Sequence, residues 1–264
     1  MQLKTDKMLA EKSGAIGWMT FNNPARRNAV SLEMWEAIGT ILEDFARDEA
    51  IRVIVMRGAG DKAFAAGADI SQFEERRANA EAAAAYAAVS TAGWKAMRTL
   101  EKPLVAMIRG YCIGGGLAIA MGADIRIAAE DGQFGIPAAK LGIAYGHDGV
   151  KNLVDLVGPA VAKSILFTGR FMKAAEALRV GLINEVVPVD ALEQTVRDFA
   201  ETITANAPLS VRASKLTINH ILRGEAARDP GLLEKLTKEC FNSADYAEGR
   251  RAFMEKRKPV FAGR

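Results

Sequence analysis

Apolar and polar positions along this chain follow two different periods, and the change between them marks its elements. Residues 15–21 (AIGWMTF) form a short apolar run stopped by Asn22-Asn23-Pro24, which predicts a strand ending in a turn. After Ser31, placed as a helix N-cap, Leu32, Trp35, Ile38, Leu42 and Phe45 recur every three or four residues, as one face of a helix requires. A β-branched run at 51–56 predicts a second strand, closed by Gly58-Ala59-Gly60, and a loop of small residues follows at 64–69. The alanine-rich stretch 79–100 predicts a helix and 104–108 a strand. Gly114-Gly115-Gly116 opens an apolar helix through Met121, and 124–128 reads as another strand. Helices over 148–157, 159–167 and 174–180 precede a last strand at 184–187. From Asp190 onward the pattern is nearly all helical, with Pro208 and Pro230 as boundaries.

Strands alternating with helices imply an α/β core, and the helical tail implies a second, all-α portion packed on it. The expected division is a core over 1–200 and a helical C-terminal region over 201–264. No internal repeat or low-complexity linker interrupts the chain.

Composition narrows the function. With 264 residues, half of them hydrophobic and a quarter charged, the chain can bury a large core. A net charge of only +3 implies no global field for nucleic acid or membrane. Cys112 and Cys240 stand far apart, and two histidines, His147 and His220, cannot make a multi-histidine metal site. The first residues, MQLKTDKMLAEKSG, are too charged for the apolar core of a signal peptide. No apolar run is long enough to span a bilayer. The expectation is a soluble, cytoplasmic protein without a metal.

Two loops carry candidate chemistry. In 62–69 (KAFAAGAD) small residues let a ligand approach the main chain, and Gly67 permits a backbone angle that other residues resist. In 109–118 (RGYCIGGGLA) glycines at a helix start present free N–H groups where the helix dipole favours negative charge. Neither a dinucleotide fingerprint nor a P-loop fits this spacing. Either loop alone is equally explained as a tight turn or as close helix–strand packing. As a pair they suit an oxyanion hole, two N–H groups converging on a carbonyl oxygen that gains charge.

The ordered blocks NNPARRNAVS (22–31), KAFAAGADI (62–70), RGYCIGGGLAIAMGADIRIAAEDGQFGIPAAKLGI (109–143), LFTG (166–169), A-x-x-x-GLINEVVP (177–188) and SADYAEGRRAFMEKRKPVF (243–261) resemble the crotonase superfamily over nearly the whole chain. That resemblance implies a spiral of ββα units with a helical C-terminal region, and a trimer, often paired into a hexamer. It implies an acyl-CoA thioester as substrate, with no cofactor beyond the coenzyme A that the substrate carries. The oxyanion donors would be the main-chain N–H groups of Ala68 and Gly115. Ala66, Asp69 and Ile70 match the segment lining adenine and pantetheine. Arg26 falls where a basic residue meets a CoA phosphate, Ala29 where backbone meets pantetheine, and Lys258 where a tail lysine reaches the nucleotide. A solvated charged surface explains Arg26 and Lys258 equally well. Leu232, Leu233, Leu236 and Phe253 would supply a subunit interface or pack onto their own chain.

The departures from the family pattern matter more. The two glutamates that perform hydration in such enzymes would fall on Ala118 and Ala138. A methyl group neither activates water nor protonates an α-carbon. Close by, 141–149 (LGIAYGHDG) carries a phenol, an imidazole and a carboxylate in Tyr145, His147 and Asp148. Methylmalonyl-CoA decarboxylases of the superfamily resemble this chain at Tyr145 but differ at the positions of Ala68 and Ala118. One expectation is therefore enolate chemistry, by a decarboxylase, lyase or isomerase, with Tyr145, His147 or Asp148 taking part. A second is a hydratase with its acid and base moved to Asp148 or Glu74, and a third is a non-catalytic acyl-CoA binder. Structural roles stay open beside these: Tyr145 packing at the acyl pocket, Asp148 capping the next helix, His147 facing solvent, and His220 in the tail. A serine hydrolase of related architecture is set aside, since no serine sits in a nucleophile elbow.

Overall fold

The computed structural model describes residues 1–69, 80–222 and 229–264, with the backbone alone at 80–87 and 230. Its larger sheet begins with the antiparallel pair β1 (Met8–Ser13) and β2 (Ile16–Phe21). β3 (Val53–Gly58), β5 (Leu104–Ile108), β7 (Ile125–Ala129) and β10 (Glu185–Val187) then add in parallel, in that order. A smaller sheet orders β4 (Ala63–Ala65), β6 (Tyr111–Ile113), β8 (Gln133–Gly135) and β9 (Met172–Lys173). The first three of these are parallel and β9 is antiparallel to β8.

From β3 to β8 the chain alternates between the sheets, so β3, β5 and β7 of the larger sheet are each followed by a short strand of the smaller. Helices follow: α1 (Leu32–Arg47) after β2, α2 (Ala80–Thr99) after β4, α3 (Gly115–Met121) after β6, and α4 (His147–Thr168) after β8. α5 (Ala174–Arg179) leads to β10, and α6 (Leu192–Thr204), α7 (Pro208–Ile221), α8 (Pro230–Phe241) and α9 (Ala244–Met254) form the tail. This is the expected spiral of ββα units.

Both faces of the larger sheet are covered, which explains why its strands read as continuous apolar runs. Val53 and Val55 face α6 through Leu192, Val196 and Ala200, while Ile54 and Met56 face the main core with Ile38, Ile41 and Phe45 of α1. Each such side chain contributes roughly 1.5–3 kcal/mol on burial, so this double cover holds the larger sheet in place.

Five strands escape the sequence reading. β4, β6, β8 and β9 have at most three residues, too few to show a period, and β1 is an edge strand that buries only Met8 fully. The two helices expected at 148–157 and 159–167 are found, joined at Gly158, where φ 74° and ψ 165° break the helical path before Pro159. Ser31 does stand at the N-cap of α1, but its hydroxyl makes no capping bond. In the tail, Leu236 is buried within its own chain, whereas Phe253 is 82% exposed. Asp245 accepts from the N–H groups of Ala262 (2.6 Å) and Gly263 (2.9 Å), which ties the chain's end to α9.

Candidate active site

Strand pairing explains how two distant loops meet. β4 and β6 are parallel with Ala63 opposite Tyr111 and Ala65 opposite Cys112, so their C-terminal ends emerge side by side. The chain leaving β4 runs through Ala66-Gly67-Ala68; the chain leaving β6 enters α3 through Gly114 and Gly115.

The direction of each donor follows from local bonds. Val30 donates to the Gly67 carbonyl (2.8 Å) and accepts from the Asp69 N–H (3.0 Å). A residue between two such bonds points its own N–H the other way, so the Ala68 N–H faces α3. Gly115 is the first residue of α3, where an N–H has no intrahelical acceptor. Among the described residues neither N–H donates to the protein. A methyl built on Gly115 would lie 3.6 Å from the Ala68 nitrogen, which places the two donors within reach of one carbonyl oxygen.

Two glycines make this possible. Gly114 has φ 55° and ψ −118°, a conformation that side chains resist. At Gly116 a Cβ would stand 2.0 Å from the Ala65 carbonyl oxygen, so only glycine lets α3 lie against β4.

The donors open on a cavity of about 520 Å³. Trp35 of α1 and Trp94 of α2 line it with ring centroids 5.1 Å apart and planes tilted by 45°. Ser90, Trp94 and Arg98 lie four residues apart on α2 and line one side. Ala118 lines the wall, so the alanine noted in the sequence does face the site. Ala138 lies in a 3-10 turn (Pro137–Leu141), packed against the core and outside that lining. Among the described residues the ionisable groups on the wall are Arg98, Tyr145, His147 and Asp148.

Tyr145 packs its ring against Gly149, where a Cβ would meet the ring at 2.6 Å. Its hydroxyl is buried and has no partner among the described residues, and burial pushes the phenol up to about 12. Burial likewise pushes the Cys112 thiol up, which leaves it an inert core residue. Asp148 is not the helix cap: Gly146 holds that position and α4 begins at His147. The Asp148 carboxylate instead accepts from Arg98 Nη1 (2.6 Å) and lies 3.3 Å from His147 Nδ1. Hydrogen bonds from His147 and then Arg98 hold it below the usual carboxylate range. Arg98 was invisible in the sequence, since one arginine near the end of an alanine-rich helix gives no signal until the α2–α4 contact is known.

The segment 26–30 runs beside 66–69: Ala66 N–H donates to the Arg27 carbonyl (3.0 Å), and Ala29 N–H to that of Arg26 (3.0 Å). Buried Asn28 braces the pair, donating to the carbonyls of Ala59 (3.0 Å) and Ala63 (2.8 Å). It adopts φ 56°, which asparagine tolerates better than most residues; that is the local clue to it. Arg26, Ala29, Ala66 and Asp69 thus lie together around the Gly67-Ala68 turn. Buried Asp69 is engaged by Arg26 at 3.4 Å. Lys258 is exposed in the tail, away from the cavity lining. Ile70 and Glu74 lie outside the described residues. His220 is buried in α7, where its Nε2 accepts from the Asp229 N–H (2.8 Å), a structural role. No helix among the described residues is long and apolar enough to cross a membrane.

Two converging N–H groups open on one cavity at adjoining turns of a ββα spiral, an arrangement able to stabilise a developing oxyanion. Comparison with known proteins shows the family. The family model for enoyl-CoA hydratase/isomerase matches residues 11–264. The short-chain-enoyl-CoA hydratase of Clostridium acetobutylicum is 34% identical, with 97% of each chain covered. The crotonyl-CoA hydratase of Syntrophomonas wolfei is also 34% identical, over 97% of this chain and 98% of its own. The crystal structure of an enoyl-CoA hydratase/carnitine racemase from Magnetospirillum magneticum superposes with a TM-score of 0.91 at 38% identity, covering 99% of this chain and 97% of that one. The chain belongs to the enoyl-CoA hydratase/isomerase family.

Proposed function

We propose that this protein transforms an acyl-CoA thioester through an enolate held by the N–H groups of Ala68 and Gly115, and that the enolate arises by loss of CO2 from a malonyl-type thioester. The observation that carries this reading is the cavity wall: it pairs two oxyanion donors with the methyl of Ala118 where a hydratase needs a carboxylate. Decarboxylation needs no base for an α-proton. The bond from the carboxylate carbon to the α-carbon breaks, its electron pair becomes the enolate, and the oxyanion hole takes the charge. Tyr145, protonated through the physiological range, orients the departing carboxylate or delivers a proton. Lyase or isomerase chemistry through the same enolate belongs to this reading.

Coenzyme A would lie along Arg26, Ala29, Ala66, Asp69 and Ile70, with Lys258 meeting its nucleotide. The 3.4 Å contact of Arg26 with Asp69 keeps that guanidinium beside the oxyanion loop, which supports the assignment. The oligomer would be a homotrimer or a pair of trimers.

A second reading, hydration with acid and base relocated to Asp148 and its neighbours, draws support from relatives named as hydratases. The test incubates the protein with enoyl-CoA and malonyl-type thioesters in heavy water and reads product masses. Loss of CO2 with deuterium at the α-carbon is expected. Gain of water would favour the second reading, and binding without turnover of any thioester would leave an acyl-CoA binder.

A further inference from the structure

An enolate must be protonated at carbon, and the start of α4 shows a way to do it. Both oxygens of Asp148 are engaged, Oδ2 by Arg98 Nη1 at 2.6 Å and Oδ1 by His147 Nδ1 at 3.3 Å. The carboxylate therefore stands between a guanidinium from one helix and an imidazole at the head of another. All three side chains line the same cavity as Ala68, Gly115 and Ala118. With Nδ1 turned to Asp148, Nε2 is left without a protein partner among the described residues.

Stability does not account for this chain of contacts. The side chains of Arg98 and Asp148 are 52% and 72% exposed, and ion pairs that open to water add little to folding. Among the described residues Tyr145 is the other proton carrier at the cavity. Its hydroxyl is buried and has no protein partner among them, whereas His147 is 88% exposed and exchanges with solvent directly. A group that must be recharged each cycle is better placed at the cavity's wet edge.

Building on the enolate reading, we propose that Arg98 is the positioning residue of a proton-delivery chain, Arg98–Asp148–His147, whose last member protonates the α-carbon. In the step, the Nε2–H bond of the imidazolium breaks and its proton bonds to the α-carbon with the enolate's electron pair. The thioester carbonyl re-forms as the oxyanion charge collapses. The imidazole keeps Nδ1–H on Asp148, and water returns a proton to Nε2. Arg98 touches no reacting atom; it fixes the carboxylate that fixes the ring.

The chain is tested with methylmalonyl-CoA in heavy water, using the parent protein, Arg98→Gln, Arg98→Lys and His147→Gln. CO2 release and the handedness of the α-deuterated propionyl product are both read. Parent protein is expected to give one enantiomer. Arg98→Gln and His147→Gln should still release CO2 but give product close to racemic, while Arg98→Lys keeps most of the selectivity. Undiminished handedness in Arg98→Gln would overturn the chain. A second readout, exchange of the α-hydrogen of propionyl-CoA into heavy water, needs no leaving group. If the parent exchanges without releasing CO2 and Arg98→Gln exchanges at least about tenfold more slowly, decarboxylation is wrong and the chain stands. If no CO2 is released, equal exchange in parent and Arg98→Gln, or none in the parent, removes the chain.

Discussion

A buried hydroxyl without a partner costs a folded protein roughly 1–3 kcal/mol, and Tyr145, a residue of the cavity wall, carries one with no partner among the described residues. Tyr145→Phe should therefore raise unfolding stability by about 1 kcal/mol while lowering turnover by about a hundredfold; a thermal melt and a steady-state assay check the two signs together. The phenol also sets an alkaline limit. It titrates near 10 when unfolded and is pushed up to about 12 by burial when folded. The folded state therefore holds its proton more tightly, and stability present below pH 10 is lost as the pH rises towards 12. Denaturant melts across that window should show the slope in the parent and a flatter one in Tyr145→Phe.

At the level of elements, the site depends on how closely α3 lies on β4. Gly116→Ala would put a methyl 2.0 Å from the Ala65 oxygen, and neither partner is a flexible side chain that can swing aside. The helix must shift, at a cost of about 1–3 kcal/mol, and it carries the Gly115 donor with it. Turnover should fall by about 10²–10³-fold, the loss expected for one oxyanion donor, with thioester binding weakened far less. Comparing kcat with binding by calorimetry separates the two effects. The α2–α4 contact is the second element-level feature, since it brings Arg98 to Asp148 and closes the polar edge of the cavity.

The whole molecule leaves several large apolar side chains exposed on its tail. Phe253 and Met254 are 82% and 80% exposed at the end of α9, and Phe241 of α8 is 59% exposed. Cover by a second copy of the chain would remove such side chains from water. Light scattering on a sizing column should give three or six times the chain mass of 28.4 kDa. Phe253→Asp combined with Met254→Asp should shift that mass downward, and an unchanged mass would place the interface elsewhere.

What the chain determines by itself is whatever a local period or a special residue encodes. The apolar strands β2, β3, β5, β7 and β10, the amphipathic α1, the glycine opening of α3 and the break before Pro159 were legible because each is decided by neighbours within a few positions. The sequence names the alanines at 118 and 138, but only the fold puts Ala118 on the cavity wall and leaves Ala138 outside that lining. Tertiary structure alone decided the rest. The short strands of the smaller sheet exist only because a partner strand supplies their hydrogen bonds. The Ala68 N–H turns towards Gly115 only because Val30 takes the bonds on either side of it. Asp148 looked like a helix cap from its neighbours, yet an arginine fifty positions earlier claims its carboxylate. Pairings between distant residues leave no local period, so the partner of a side chain is known only when the fold brings it near.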